Sequence, residues 1–168
     1  MRLAVPALLL AAGLAACSRE GAREAAPGVS LLKDFSIAET DAGQSRWRLE
    51  SPVANMDEKA GVIRFVSPRV RFYDDDKLSS EISSRAGTLQ MKSKEAVLTD
   101  DVAVNSVRDG MKLSTTRLFY SSAKGKIWTD DPVTILKGRT VIKGRGFTAN
   151  PDLSQIQIEH QETRVAPQ

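Results

Sequence analysis

Two adjacent carboxylate pairs are the first candidates for chemistry. Asp100-Asp101 lies in KEAVLTDDVAVNSV (94–107), and Asp130-Asp131 lies in KGKIWTDDPVTILKG (124–138). Paired acids can share a proton or hold a cation. Neither pair has a visible third ligand, and the sole histidine, His160, lies far away in IEHQET. Neighbouring residues of a strand also point to opposite faces, which separates the two carboxylates. Asp disfavours strand interiors, and Pro132 after the second pair has no N–H for a ladder. Both pairs therefore read as corners, where a long strand bends from one sheet into another. The flanking apolar positions shift phase by one residue between the two copies, as a bulge requires.

Other candidates are weaker. No nucleophile elbow, phosphate loop or His-Glu-x-x-His appears in the sequence. His160 lacks partners for a triad and reads as a strand-end residue. Asp74 to Asp76 lack the spaced ligands of a calcium loop and read as a hairpin turn. The glycines of GRGF (144–147) mark a bulge or twist. Trp47 and Trp128 read as core packing, with ligand contact as the alternative. No catalytic residue, metal site or cofactor is expected.

Cys17 is a different kind of candidate. It is the only cysteine, so no internal disulfide can form. It follows an apolar run from Leu3 to Ala16 behind a single Arg2. That run is short for a membrane span, which takes about 20 residues, and fits the core of a secretory signal. Its end, LAAC, resembles a bacterial lipobox. This implies cleavage after residue 16 and lipidation of Cys17. A plain signal peptide or an uncleaved anchor remains the alternative. The expected organisation is a signal at 1–16, a lipidated flexible tether at 17–34, a domain at 35–162 and a tail at 163–168.

The domain must be built of strands. Alternation with period two recurs in RVRFY (69–73), TLQMK (88–92), VAVNSV (102–107), LSTTRLFY (113–120), VTIL (133–136), TVIKGRGFTA (140–149) and QIQIE (155–159). Turn residues separate these runs, and Asp109-Gly110 is a strong hairpin signal. About nine strands with short connections predict an all-β antiparallel fold, a meander or a jelly roll. Alternation puts Val70 and Phe72, Leu89 and Met91, Val102 and Val104, Val133 and Ile135, and Ile156 and Ile158 on inward faces. Phe119 and Phe147 are added to that face. The net charge of +3, with no basic stripe carrying aromatics, excludes a nucleic-acid groove.

RWRLESPVA (46–54), SPRVRFYDDD (67–76) and the block DGMKLSTTRLFYSSAKGKIWTDDPVTILKGRTVIKGRG (109–146) resemble the LptC family of lipopolysaccharide-export components, and more broadly LptA/OstA-like domains. The resemblance spans about residues 35 to 160. It implies a twisted, open β-jelly roll. It also implies a non-catalytic role in which lipopolysaccharide passes from an inner-membrane ABC transporter to an LptA-like periplasmic bridge protein. The inward faces would then line a lipid groove. The strands at 140–149 and 154–160, with Gln155 and Gln157, would form the edge that receives the bridge, and those near 35–50 would face the transporter. An envelope scaffold of the same fold without lipid is the alternative. The family's usual transmembrane helix is replaced here by the lipobox. The inner-membrane assignment rests on the family, because Ser18 is not a retention signal.

Overall fold

The computed structural model describes residues 28–165. They form twelve strands and no helix. In chain order these are β1 (Val29–Asp41), β2 (Gln44–Asp57), β3 (Val62–Val66), β4 (Arg69–Asp74), β5 (Lys77–Ser83) and β6 (Ala86–Gln90), then β7 (Glu95–Ser106), β8 (Lys112–Ser121), β9 (Lys126–Lys137), β10 (Thr140–Ala149), β11 (Ile156–Ile158) and β12 (Glu162–Val165). All pairings are antiparallel.

Six long strands bend halfway along, and three of them change partners there. β2 pairs with β3 through 53–57 and with β4 through 47–50. β7 pairs with β6 through 95–99 and with β5 through 103–106. β10 pairs with β11 through 147–149 and with β12 through 140–143. Two sheets result. The first holds β3, β6 and β11, the second holds β4, β5 and β12, and both share β1, β2, β7, β8, β9 and β10. The sheets face each other as an open jelly roll, joined along the line of corners. Across the gap Phe72 meets Tyr120 with ring centroids 5.6 Å apart, and Phe35 meets Phe65 at 5.7 Å.

The corners answer the question of the acidic pairs. Asp100 and Asp101 both take left-handed backbone, φ 64° and 53°, a conformation Asp tolerates better than most residues. One extra residue enters β7 against β8 there. The Arg85 amide donates to the Asp100 carbonyl at 2.9 Å, and the Arg85 guanidinium pairs with the Asp101 carboxylate. Both side chains are exposed rather than split between two faces, because two successive left-handed residues break the alternation. At the second pair, β9 shifts register against both neighbours. The Asp131 carboxylate accepts from the Thr116 hydroxyl at 2.7 Å and from Arg117 at 3.1 Å. In β1, Asp34 turns left-handed beside Pro52, which has no N–H to offer it.

The sheet extends beyond the expected domain limits. β1 pairs with β2 from Val29, so 29–34 are strand rather than tether. β12 reaches Val165, so 163–165 are strand rather than tail. The expected strand count was low for the same reason that the corners exist. Each bulge resets the alternation, so β9 showed only its second half in VTIL, and β1 and β2 stayed hidden. β10 is not an edge, since β9 covers one side and β11 with β12 the other. Gly144 permits this closure: a Cβ there would lie 2.5 Å from Ile158 Cγ2 and 2.9 Å from the Glu159 carbonyl oxygen.

Candidate functional site

The space between the sheets is lined from both sides by alternate residues of the bent strands. Val70, Phe72, Leu89, Val102, Val104, Val133, Ile135 and Phe147 are all buried there. They join Leu49, Ile63, Phe65, Ile82, Leu98, Leu113, Leu118 and Ile127 in one core. Each such side chain contributes about 1.5–3 kcal/mol on burial. The buried polar residues among those described are only Ser and Thr, and no buried side-chain atom lacks a hydrogen-bond partner.

Three expected residues fall elsewhere, and a fourth is only half-buried. Met91 is 39% exposed, because β6 ends at Gln90 and Met91 begins the turn. Ile156 is 38% exposed, because β11 is a three-residue edge strand. Ile158 is half-buried against the core. The Phe119 ring turns to the outer surface: it stands opposite Val97 and Trp128 and stacks on the Trp128 ring at 5.6 Å. The phase shift in β8 between Ser114 and Phe119 puts Leu118 and Tyr120 inside instead. Trp128 is therefore a surface residue, covered by the Lys124 ammonium 4.7 Å from its ring centroid, whereas Trp47 belongs to the core.

The interior is nearly full. Between Trp47, Val70, Phe72, Leu89, Leu118 and Ile127 a cavity of about 30 Å³ remains. Two larger spaces lie at the mouth, opposite the corner line. A mostly apolar cleft of about 440 Å³ follows β1 and is lined by Phe35, Ile37, Trp47, Met56, Ile63, Leu89, Met91 and Lys94. A polar chamber of about 500 Å³ is bounded by Glu39, Asp41, Arg46, Trp47, Phe72, Tyr120 and Asp152.

Two sets of contacts cross the mouth. At the β1 end, Lys94 in the turn after β6 donates to Glu39 Oε1 at 2.8 Å, and Trp47 Nε1 donates to Glu39 Oε2 at 2.6 Å. At the other end, the loop 150–155 after β10 crosses to the second sheet. The buried Ser80 hydroxyl donates to the Pro151 carbonyl at 2.5 Å, Arg108 donates to the Asp152 carbonyl at 2.9 Å, and Leu153 is buried. Of these residues the sequence singled out only Trp47, as core packing or a ligand contact, and it showed none of the contacts. Glu39 and Lys94 lie 55 positions apart, Ser80 and Pro151 71 apart, and no local pattern links them.

Neither His160 nor the acidic pairs assemble a reactive centre. Among the described residues, no group of three or more His, Cys, Asp or Glu could hold a metal. Cys17 lies outside the described residues. The C-terminal edge has a definite polarity of donors. The Asn150 amide bonds to the Gln155 carbonyl and the Glu159 amide to the Gly146 carbonyl, with Thr148 opposite Gln157 between them. Antiparallel pairs alternate, so Gln155 and Gln157 spend their N–H groups inward, on β10. Ile156 and Ile158 point theirs outward. Gln155 and Gln157 expose their side chains but do not carry the free backbone donors.

A sequence model of the family described as lipopolysaccharide-assembly, LptC-related, matches residues 23–165. The chain belongs to this family. Its place is thus in lipopolysaccharide transport, and the LptC family is one of transport components rather than enzymes. The fold is also that of a solved structure, LptH from Pseudomonas aeruginosa, the LptA homologous periplasmic component of the lipopolysaccharide transport device. The TM-score is 0.57 at 12% identity, covering 77% of this chain and 100% of that one. No curated protein matches the sequence.

The Glu39 latch of this LptC-family domain should respond to pH. The Lys94 hydrogen bond, helped by Trp47, holds the Glu39 carboxyl below its ordinary 4.5, against the opposing effect of burial. The same contact raises the Lys94 ammonium above 10.5. Both partners are therefore charged across the neutral range. Since the folded value of Glu39 is depressed, its stabilisation is complete above 4.5 and is lost as pH falls through the lower folded value. In a Trp128→Phe background, Trp47 emission should titrate below pH 4.5, and Lys94→Gln should move that midpoint up toward 4.5. An unchanged midpoint would show that the pair does not form in solution.

Proposed function

We propose that the protein is a non-catalytic lipid-transfer module of lipopolysaccharide export. It accepts lipopolysaccharide from an inner-membrane ABC transporter and passes it to an LptA-like bridge protein. Lipidated Cys17 tethers it to the periplasmic face of the inner membrane. The carrying observation is the inner surface: two sheets, joined only at their corners, oppose faces whose buried residues carry no charge. Such faces suit acyl chains. A chain of roughly a dozen carbons costs near 10 kcal/mol in water, at about 0.8 kcal/mol per methylene. In the unloaded state the sheets close on each other, so loading spreads them about the corner line and breaks the contacts at the mouth.

The packed interior also favours a second reading, an envelope scaffold that carries no lipid. Photo-crosslinkers decide between the two. At Val104 or Ile135, both buried, they should capture lipopolysaccharide during transport, whereas one at exposed Lys92 should not. Absence of capture at both buried sites would favour the scaffold.

The two free edges fit head-to-tail strand addition to neighbouring domains. Among the described residues, β1 pairs only with β2, and β11 and β12 pair only with β10. The tether leads into β1, so β1 serves the transporter end and β11 with β12 serve the bridge. Ile156→Pro removes an outward donor at an exposed position. It should weaken binding of the LptA-like partner at least several-fold and leave transporter binding intact, with circular dichroism unchanged. The reverse pattern would invert the bridge.

Anchoring rests on LAAC, and intact-mass measurement checks it. The mature chain should begin at a lipid-modified Cys17, and Cys17→Ala should accumulate the unprocessed form. A mature chain with a free thiol would remove the anchor from this reading.

A further inference from the structure

Trp47 sits where the spaces of the mouth and the interior meet. Its side chain lines the apolar cleft along β1, the small cavity between the sheets and the polar chamber. Cleft and cavity share only Trp47 and Leu89. The indole is 8% exposed and held by one carboxylate. That carboxylate, Glu39, stands on the second-sheet half of β1, and its partner Lys94 stands on the turn at the end of the first sheet. One group thus fixes the ring and ties the two sheets together.

We propose that Trp47 is the gate between the cleft and the sealed interior, and that the Glu39–Lys94 pair is its catch. The proposal rests on the lipid-carrier reading and adds the point and chemistry of entry. An acyl chain settles first in the cleft, against Phe35, Ile37, Met56 and Ile63. The phosphate of the same lipid then competes with Glu39 for the Lys94 ammonium. The Lys94 side chain is 57% exposed, so an incoming anion can reach it, and an ion pair open to water is weak enough to exchange. Without Lys94, Glu39 no longer joins the sheets. The indole then swings with the loosened β1, and the cleft becomes continuous with the core. A neutral alkyl chain enters the cleft but leaves the catch closed.

The full chain with Trp128→Phe tests this, because Trp47 is then its only tryptophan. Trp128 packs on the outer face, so the background leaves the gate untouched. The probe is bisphosphorylated lipid A, with binding followed separately by calorimetry. Trp47 emission should change with the same midpoint as binding. Lys94→Gln and Glu39→Gln, tested singly, should each speed uptake several-fold, and octyl glucoside should leave the emission unchanged. Binding without a change at Trp47, or wild-type uptake rates in both variants, would overturn the gate. A full response to octyl glucoside would overturn the phosphate-driven catch. If lipid A binds neither the parent nor the variants, the carrier reading itself falls and the gate with it.

Discussion

Everything in this fold depends on six strands bending at one line. A strand that joined only one sheet would leave its other half unpaired, and its apolar face would have no opposite wall. Bending costs backbone strain and ladder bonds. The chain meets that cost with residues suited to left-handed backbone or unable to continue a ladder: Asp34 beside Pro52, Asp100-Asp101, Asp131-Pro132 and Gly146. Arg85, Thr116 and Arg117 then tie the exposed acids to neighbouring strands. The carboxylates that look most like chemistry are therefore structural, and their charge keeps the outside of the bend in water.

A shared corner line makes the two sheets a hinge as well as a sandwich. Along the corners they are held by continuous covalent chain and ladder bonds. At the mouth they are held by a few side-chain and loop contacts and by apolar burial. An acyl chain can replace the burial almost in kind, since it offers methylene surface of the same sort. A well-packed interior with a cavity of about 30 Å³ is thus compatible with lipid carriage, provided the mouth contacts exchange. The weakness of exposed ion pairs in water is an advantage here.

The edges follow the same economy. Among the described residues, β1 at one end and the line of β11 and β12 at the other have one partner each. Free edges are an aggregation hazard in most proteins. In the proposed strand addition they become the means of joining domain to domain. Register parity then decides which residues can join: Ile156 and Ile158, not the glutamines beside them.

Period-two alternation determined that the chain is all-β and which faces of Val70, Phe72, Val102, Val104, Val133 and Ile135 turn inward, and the poor fit of Asp and Pro132 inside a strand marked the acidic pairs as corners. These are local properties, fixed by the geometry of the pleat within a few residues. The ordered motifs of 109–146 carried the family. The tertiary structure decided what alternation cannot reach. Bulges reset the phase, so Phe119 faces out while Leu118 and Tyr120 face in. Strand ends set exposure, which takes Met91 and Ile156 off the inner wall. Pairing across the sheet assigned 29–34 to β1. The contacts across the mouth, Glu39 with Lys94 and Trp47, and Ser80 with Pro151, exist only because two sheets fold onto each other, and nothing within reach along the chain records them.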